Sequence, residues 1–146
     1  MKSINTVKLT IQSLPENIAL ARVFVAAFIA QVDLTVDELE DIKVAVSEAV
    51  SNAIIHGYEQ RGDQWVDIIV TRFDDYFEIT VKDTGKGIEN IEQAMEPTYS
   101  TDADRMGLGF VFMQSFMDEV AVTSEVNKGT SVTLRKYVAA NQDAPN

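Results

Sequence analysis

The sequence predicts an α+β fold, a two-layer α/β sandwich in which helices pack on one face of a mixed, mostly antiparallel sheet. Hydrophobic periodicity gives the order strand, two helices, two strands, loop, helix, two strands. Two of the strand pairs are separated only by short turns, which indicates antiparallel hairpins. Helices grouped against such a sheet form two layers around one core.

The N-terminal part supplies one strand and one helix. "VKLTIQS" (7–13) alternates apolar and polar residues, as a half-buried strand does. Pro15 then opens "PENIALARVFVAAFIAQV", whose apolar residues recur at helical spacing. Proline is well suited to a first helical turn, so the first helix begins there.

A second, longer helix is predicted from Leu34 to about Tyr58. Thr35 is the expected N-cap, with Glu38 three positions later, the pattern of a capping box. Gly57 fits the C-terminal end of this helix.

The remaining chain predicts two hairpins around a loop and a helix. "WVDIIVTRF" and "YFEITVKD" are strands joined by Asp74–Asp75, and a loop runs from Thr84 to Arg105. "GLGFVFMQSFM" restarts as a helix. "EVAVTSE" and "GTSVTLRKY" then form the last hairpin, around "VNKG".

The chain length and composition indicate one globular domain. The 146 residues are 46% hydrophobic, enough for a core. We expect a single domain over residues 1–138 and a flexible tail over 139–146, "AANQDAPN". The absence of cysteine excludes disulfides and thiolate chemistry and is compatible with the cytoplasm.

The net charge of −11 argues against direct binding to nucleic acid, whose phosphates repel such a surface. The charge is compatible with a basic protein partner or simply with solubility. No apolar run reaches the roughly 18 residues of a membrane span, and "MKSINTVKLT" does not resemble a signal peptide. We therefore expect a cytoplasmic protein without a membrane partner.

Three polar residues stand at four-residue intervals in the second helix: Glu48, Asn52 and His56. Residues four apart are neighbours on a helix surface, so the three form one column beside the apolar stripe. A carboxylate can accept a proton, and an amide oxygen is a suitable ligand for Mg²⁺. By itself, the column is also explained as an ordinary polar flank, and His56 as a structural residue at the helix end.

A strand-end carboxylate and two glycines form a second group, Asp83, Gly85 and Gly87 in "VKDTGKGI". Glycine permits close approach of a ligand to the backbone, and the carboxylate can accept a hydrogen bond from an amine such as that of adenine. An Asp-Gly turn that merely ends a strand is the alternative.

A third group, "DRMGLGF", places Arg105, Gly107 and Gly109 before a helix, where free N–H groups favour an anion. It matches neither a Walker A motif nor a Rossmann fingerprint, and a flexible loop is the alternative. In "NKGTSVTL", Thr130 could bond a base or cap a turn.

The order of these four groups resembles the ATP-binding fold of gyrase, Hsp90, histidine kinases and MutL, the Bergerat fold. Within that superfamily the chain closely resembles the sporulation anti-sigma F factors, which are also serine protein kinases. The resemblance covers nearly the whole chain, through "ARVFVAAFIAQVD", "DELEDIKVAVSEAVSNAIIHGYE", "DTGKGI", "MGLGFVFMQSFMDEV" and "SEVNKGT".

The resemblance implies a role for each matching residue. Glu48 is the expected general base, Asn52 the expected Mg²⁺ ligand and Asp83 the expected acceptor for the adenine amine. The other implied ATP contacts come from the base pocket, the lid and the last strand: Gly85, Gly87, Ser100, Thr101, Arg105, Gly107, Gly109 and Thr130.

The resemblance also implies ATP or ADP with Mg²⁺, a sigma factor held from RNA polymerase, and an anti-anti-sigma factor phosphorylated on serine. It implies a homodimer through the N-terminal strand and helix, with Arg22 binding a partner. The alternatives are an anti-sigma kinase of the general stress response, and a binding module that holds nucleotide without phosphoryl transfer. A sensor histidine kinase domain is less well supported, because the sequence contains no phospho-acceptor histidine helix.

Overall fold

The computed structural model describes residues 2–96 and 102–138, and for residues 102–105 it describes the backbone only. The predicted flexible tail, 139–146, therefore lies outside the described residues. The strands are β1 (Asn5–Gln12), β2 (Trp65–Arg72), β3 (Tyr76–Asp83), β4 (Glu119–Glu125) and β5 (Gly129–Tyr137). The helices are α1 (Asn17–Ile29), α2 (Val36–Asn52), a π-helical turn (Ala53–Gly57), α3 (Ile91–Ala94) and α4 (Asp102–Phe116).

The five strands form one sheet in the order β1-β2-β3-β5-β4. Each neighbouring pair is antiparallel, so the sheet that the sequence predicted as mixed, mostly antiparallel, is antiparallel throughout the described chain. Both predicted hairpins are present: the Phe73 N–H donates to Tyr76 O at 2.9 Å in one, and Glu125 pairs with Gly129 in the other.

The core lies between one face of this sheet and the helices. Its fully buried side chains come from both layers: Ile68, Val70, Phe77, Ile79 and Leu134 of the sheet, and Val25, Ile29, Ile42, Val46, Val50, Phe110 and Met113 of the helices. Burial of each such side chain contributes about 1.5–3 kcal/mol. The other face of the sheet carries hydroxyl and charged groups, including the ion pair between Arg135 and Glu78 at 2.9 Å. The two-layer α+β prediction is confirmed.

Helix α2 begins as the sequence predicted. The Glu38 N–H donates to Thr35 Oγ1 at 3.0 Å, and the Thr35 N–H donates to Glu38 Oε1 at 3.0 Å. This capping box satisfies two N–H groups that a helix start would otherwise leave unpaired. The predicted single helix to Tyr58 instead changes at Ala53 into the π-helical turn, where the Tyr58 N–H donates to Ala53 O at 2.9 Å.

The segment predicted as a loop from Thr84 to Arg105 contains two helical stretches. The short helix α3 lies within it, capped by the Asn90 side chain, which accepts from the Gln93 N–H at 3.0 Å. Helix α4 begins at Asp102, five residues before the predicted start at Gly107. Nothing in 102–106 breaks a helix, and acidic residues in a first turn are favoured by the helix dipole.

Within residues 2–96 and 102–138, no helix combines the length and apolar character needed to cross a membrane.

Candidate functional site

The polar column of α2 lies directly against the backbone of α4. A Cβ added to Gly109 would lie 3.0 Å from Glu48 Oε2 and 3.4 Å from both amide atoms of Asn52. Glycine at this position therefore lets α4 approach the carboxylate and the amide without covering them. The four-residue spacing that suggested a functional column brings these two groups to one place.

Glu48 and Asn52 are both half-buried. Burial raises the pKa of the Glu48 carboxyl above its usual value, because a low-dielectric surrounding disfavours the charged form. A carboxylate with a raised pKa is a stronger base, which suits proton abstraction. The Asn52 Nδ2 atom is buried and has no hydrogen-bond partner among the described residues. Buried amides normally have such partners, so an unpaired one indicates a place for a ligand.

Asp83 ends β3 at the other side of the site, and 9% of its surface is exposed. Its Oδ1 accepts a hydrogen bond from the Gly85 N–H at 2.9 Å, and its carboxylate also bonds the backbone of Thr130, its register partner on β5. Burial raises the pKa of Asp83, and the two backbone hydrogen bonds oppose that shift without cancelling it. The carboxylate keeps lone pairs available for a donor on a ligand.

The end of the π-helical turn packs against this carboxylate. A Cβ added to Gly57 would lie 2.9 Å from Asp83 Oδ1, and a Cβ on Gly85 would collide with Gly57 O. The Lys86 N–H donates to Gly57 O at 2.9 Å. The helix end and the strand end are therefore joined through glycines, and side chains would separate them.

Two further glycines adopt left-handed backbone conformations beside the site. Gly87 has φ 75°, and a Cβ there would collide with Glu125 O. Gly129 has φ 118°, and a Cβ there would collide with Asp83 O. Both positions need glycine for conformation and for space.

These elements line one cleft. Its polar lining includes Asn52, His56, Asp83 and Thr130. The rest is mostly apolar and comes from α2, the π-helical turn, β3, α4 and β5: Ala49, Ala53, Val81, Ile88, Met106, Phe110 and Val132. Apolar walls with a few fixed polar groups suit a flat heterocycle that carries an amine.

The structure brings most of the predicted ATP-site residues together. Asn52, Asp83, Gly87 and Thr130 line the cleft. Glu48 and Gly109 adjoin Asn52, and Gly85 adjoins Gly57 and Asp83, as described above. His56 also lines the cleft.

The other predicted residues do not all reach the cleft. Gly107 is buried within α4, so it stands inside the helix and not before it. Arg105 also lies in α4, and its side chain is outside the described atoms. Ser100 and Thr101 lie outside the described residues.

Arg22 lies on α1, outside the cleft. It is half-buried, whereas the resemblance implied an exposed arginine. Its Nη1 donates to Ser47 Oγ at 3.1 Å, and Ser47 Oγ donates to Lys43 O at 2.8 Å. Arg22, the residue predicted to bind a partner, is thus hydrogen-bonded to Ser47, which directly precedes Glu48 on α2.

Sequence reasoning gave no site role to Tyr58, Ser124 or Gly129. The Tyr58 hydroxyl accepts from the Thr84 N–H at 2.8 Å and donates to Trp65 O at 2.5 Å, so it fixes the residue after Asp83. Ser124 bonds Ile88 and Thr130 at the cleft. The bonds to Thr84 and Ile88 span 26 and 36 positions of the sequence, and no local pattern indicates such contacts.

The described residues contain no group of three or more histidine, cysteine, aspartate or glutamate side chains that could hold a metal ion. A divalent ion in this cleft would take few ligands from the protein, which is typical of Mg²⁺ bound together with phosphates and water. The Asn52 Oδ1 atom, on the side of α2 that faces Gly109, is a neutral oxygen of the kind that ligates such an ion, whereas the unpaired Nδ2 is a donor suited to an oxygen atom of a ligand.

Known proteins match the chain over most of its length. The family described as histidine kinase-like ATPase domain matches residues 11–136. An anti-sigma F factor of Geobacillus sp. (strain WCH70) is 50% identical over 140 residues, which cover 94% of this chain and 96% of that protein. An anti-sigma F factor of Clostridium beijerinckii is 51% identical over 134 residues, covering 90% of this chain and 94% of that protein.

A solved structure supports the fold independently. The crystal structure of the RsbU and RsbW domains of a Mycobacterium tuberculosis protein matches with a TM-score of 0.64 at 18% identity. The match covers 90% of this chain and 31% of that one. At this identity the likeness concerns the fold alone.

Proposed function

Because the chain belongs to the anti-sigma F factors and carries a histidine kinase-like ATPase domain, we propose that it is an ATP-dependent protein-serine kinase that also binds a sigma factor. Its protein substrate is an anti-anti-sigma factor, which it phosphorylates on serine. Sequestration keeps the sigma factor from RNA polymerase, and the protein acts in the cytoplasm.

The observation that carries this proposal is the placement of two carboxylates around one cleft, which Asp83 lines and which Glu48 adjoins through Asn52 and Gly109. Asp83, nearly buried at the end of β3, is an acceptor for the adenine amine. Glu48 lies beside Asn52 and Gly109, where the phosphates of a nucleotide held by Asp83 would end. Asp83 thus binds the base, and Glu48 is available to act as general base at the γ-phosphate.

The reaction moves one phosphoryl group. Glu48 accepts the proton of the partner's serine hydroxyl, and the serine oxygen bonds to the γ-phosphorus. The bond from that phosphorus to its bridging oxygen breaks, and ADP leaves with the electron pair. Burial of Glu48, which raises its pKa, makes the carboxylate a better proton acceptor.

Mg²⁺ fits this site through Asn52. The Asn52 side chain lines the cleft, and a Cβ added to Gly109 of α4 would lie 3.4 Å from its Oδ1. When bound, the ion neutralises charge on the phosphates. The roles proposed for Ser100, Thr101, Arg105 and Gly107 are contacts to the phosphates from the lid and from α4.

A phosphate-transfer assay tests the kinase proposal. The protein is incubated with ATP labelled on the γ-phosphate and with a cognate anti-anti-sigma factor, with and without a sigma factor. We expect label on serine of the anti-anti-sigma factor. A partner that stays unlabelled while the protein binds ATP would leave a nucleotide-dependent binding module as the better description.

The identity of the sigma factor is tested by pull-down. The relatives at about 50% identity are anti-sigma F factors, which favours a sporulation sigma factor over one of the general stress response. Retention of the sporulation sigma factor alone is expected, and retention of the stress-response factor alone would reverse the assignment.

We also propose a homodimer formed through β1 and α1. Strand β1 is an edge strand, paired on one side only. On α1, Leu20 and Val23 are 52% and 60% exposed, an apolar pair at helical spacing. Sedimentation should report a dimer for the native chain and a monomer for Leu20→Glu with Val23→Glu. A native chain that sediments as a monomer would contradict the proposal.

A further inference from the structure

Three aromatic side chains form a row on the outer face of the sheet, the face opposite the core. Phe73 and Tyr76 flank the β2–β3 turn and stack with ring centroids 4.5 Å apart. Tyr76 is the register partner of Tyr137 on β5, and their ring centroids are 5.5 Å apart. Phe73 and Tyr76 are half-buried, and Tyr137 is 44% exposed. The row is therefore an ordered aromatic surface that is open to solvent.

The next row of side chains on the same face is charged. Arg135 on β5 forms ion pairs with Glu78 at 2.9 Å and with Glu119 at 3.3 Å. Its guanidinium carbon lies 5.4 Å from the centroid of the Tyr76 ring. The Tyr137 hydroxyl donates to Glu119 Oε1 at 3.3 Å. Arg135 is thus already held by two carboxylates and a ring, and its single positive charge is more than matched.

Three further carboxylates lie around the aromatic row. Asp74 and Asp75 lie in the β2–β3 turn, and Asp118 precedes β4, where its Oδ2 accepts from the Tyr137 N–H at 2.7 Å. Among the described residues, none of these three forms an ion pair. Desolvation and the negative charges of Glu119 and Asp75 raise the pKa of the Tyr137 hydroxyl above its usual value. We call these three aromatic and five acidic side chains the aromatic-acidic patch.

The aromatic-acidic patch is separate from the nucleotide cleft and from the proposed dimer surface. Tyr76 begins β3 and Asp83 ends it, seven residues or roughly 23 Å away. The patch centres on β3 and β5, whereas β1 lies at the far edge of the sheet, beyond β2. A molecule bound to the patch would therefore leave the cleft and β1 free.

The charge of the patch indicates what kind of molecule could cover it. A second copy of the chain carries the same net charge of −11, so two copies repel each other at an acidic surface. The tail 139–146, "AANQDAPN", contains no lysine or arginine. A lysine or arginine of another protein would be attracted by the carboxylates and could stack on the open rings. The patch therefore fits a basic segment of a protein partner.

We propose that the aromatic-acidic patch docks a basic segment of the sigma factor, as a contact surface separate from Arg22 on α1. This inference rests on the proposed anti-sigma function. Of the two proposed protein partners, the sigma factor is the one that must contact promoter DNA, and binding to DNA phosphates requires lysine and arginine side chains. Docking on the patch would cover part of that basic surface.

The test compares two patch variants with two matched controls. Tyr137→Ala removes the exposed ring, and Asp74→Lys reverses the charge of an exposed turn residue. Trp65→Ala is the control for the first variant, because Trp65 is 58% exposed and lies at the other end of the sheet. Asp63→Lys is the control for the second, because it makes the same change of charge in the exposed loop before β2.

Association with the purified sigma factor is measured at low and at physiological salt. We expect each patch variant to raise the dissociation constant by about tenfold, and each control to change it by less than about twofold. Asp74→Lys should act mainly on the association rate constant and reduce its dependence on salt, because long-range attraction is lost. Phosphorylation of the anti-anti-sigma factor should stay unchanged in both patch variants.

The outcomes separate this inference from the proposed function. A native chain that does not bind the sigma factor overturns the anti-sigma function and this inference with it. Native binding that is equally tight in both patch variants overturns the inference alone, and so do equal losses in the variants and their controls. Where Tyr137→Ala lowers the free energy of unfolding, Asp74→Lys decides the result, because its side chain lies in an exposed turn. Weaker binding of the anti-anti-sigma factor alone would also overturn the inference.

Discussion

Glu48 is the residue whose replacement separates chemistry from binding most clearly. Glu48→Gln keeps the shape of the side chain and removes its ability to accept a proton. We expect phosphorylation of the anti-anti-sigma factor to fall by about 10²- to 10⁴-fold, with the ATP dissociation constant nearly unchanged. Single-turnover transfer and nucleotide binding are measured on the same preparation. Full activity in this variant would show that another group accepts the proton.

The same substitution has a second effect, on the pH dependence of stability. Burial holds the folded-state pKa of Glu48 above its usual value of 4.5. The favourable contribution of this group is therefore complete below that value and is lost as pH rises through the raised folded-state pKa. Glutamine does not titrate, so Glu48→Gln should gain stability relative to the native chain between about pH 4 and pH 7.

The size of this gain is limited because solvent screens a half-buried carboxylate, and we expect less than about 1 kcal/mol in the free energy of unfolding. Thermal denaturation of both proteins at the two pH values measures it. A difference between them that does not change with pH would contradict the raised pKa.

Gly109 tests the contact between α2 and α4. A Cβ there would lie 3.0 Å from Glu48 Oε2, so Gly109→Ala must displace the carboxylate or the helix. We expect phosphoryl transfer to fall by tenfold or more, because small displacements of catalytic groups are costly. Gly62→Ala is the control, since its Cβ meets only the end of the Leu14 side chain, and neither residue lines the cleft. Equal activity of both variants would contradict a close α2–α4 contact in the active state.

At the scale of elements, Tyr58 joins the end of the α2 region to the end of β3. Tyr58→Phe removes the hydroxyl that bonds Thr84 N and Trp65 O and leaves both backbone groups without this partner. We expect a loss of about 1–3 kcal/mol in the free energy of unfolding. ATP affinity should also fall, because Asp83 adjoins Thr84. Denaturant titration measures the first effect, and an unchanged ATP affinity would show that Asp83 is held without Tyr58.

The helices and strands also show how much of the fold can be predicted from the sequence. The capping box at Thr35 and Glu38, the alternation in the strands and the short hairpin turns are local patterns, and all were predicted. The start of α4 was placed too late, because the glycines at 107 and 109 were taken as the beginning of a helix that in fact contains them. Local propensity does not show that these two glycines lie inside α4, where it packs against α2.

The site was predicted less completely than the fold. Residues that carry their own chemistry, such as Asp83 and Asn52, stand out in the sequence. Residues that only hold others in place do not: Tyr58 bonds Thr84, 26 positions away, and Ser124 bonds Ile88, 36 positions away, and Thr130 on the neighbouring strand. Such contacts become visible only when the register of the sheet is known.

At the scale of the whole molecule, the surface around Arg22 is the one proposed to bind a protein partner. Arg22 is a cationic side chain on a protein whose net charge is −11. Arg22→Glu should weaken binding of the sigma factor and the anti-anti-sigma factor by tenfold or more and leave ATP affinity unchanged. Arg61→Glu is the matched control, because it makes the same change of charge on a loop. Equal loss of partner binding in both variants would show an effect of total charge and not of the Arg22 surface.

The π-helical turn between Ala53 and Gly57 determines how the residues before it, Glu48 and Asn52, are rotated about the helix axis relative to Gly57, which meets Asp83. An i→i+5 turn accommodates one residue more than an α-helical turn does. Upstream of it, Glu48 and Asn52 are directed at α4, and downstream, Gly57 meets Asp83. In a purely α-helical path, each residue would advance by about 100°, and the downstream contact would rotate away from the upstream column. A change of one residue in the length of this turn would therefore alter the position of Asp83 relative to Glu48, the proposed general base, even if every side chain of the turn were kept.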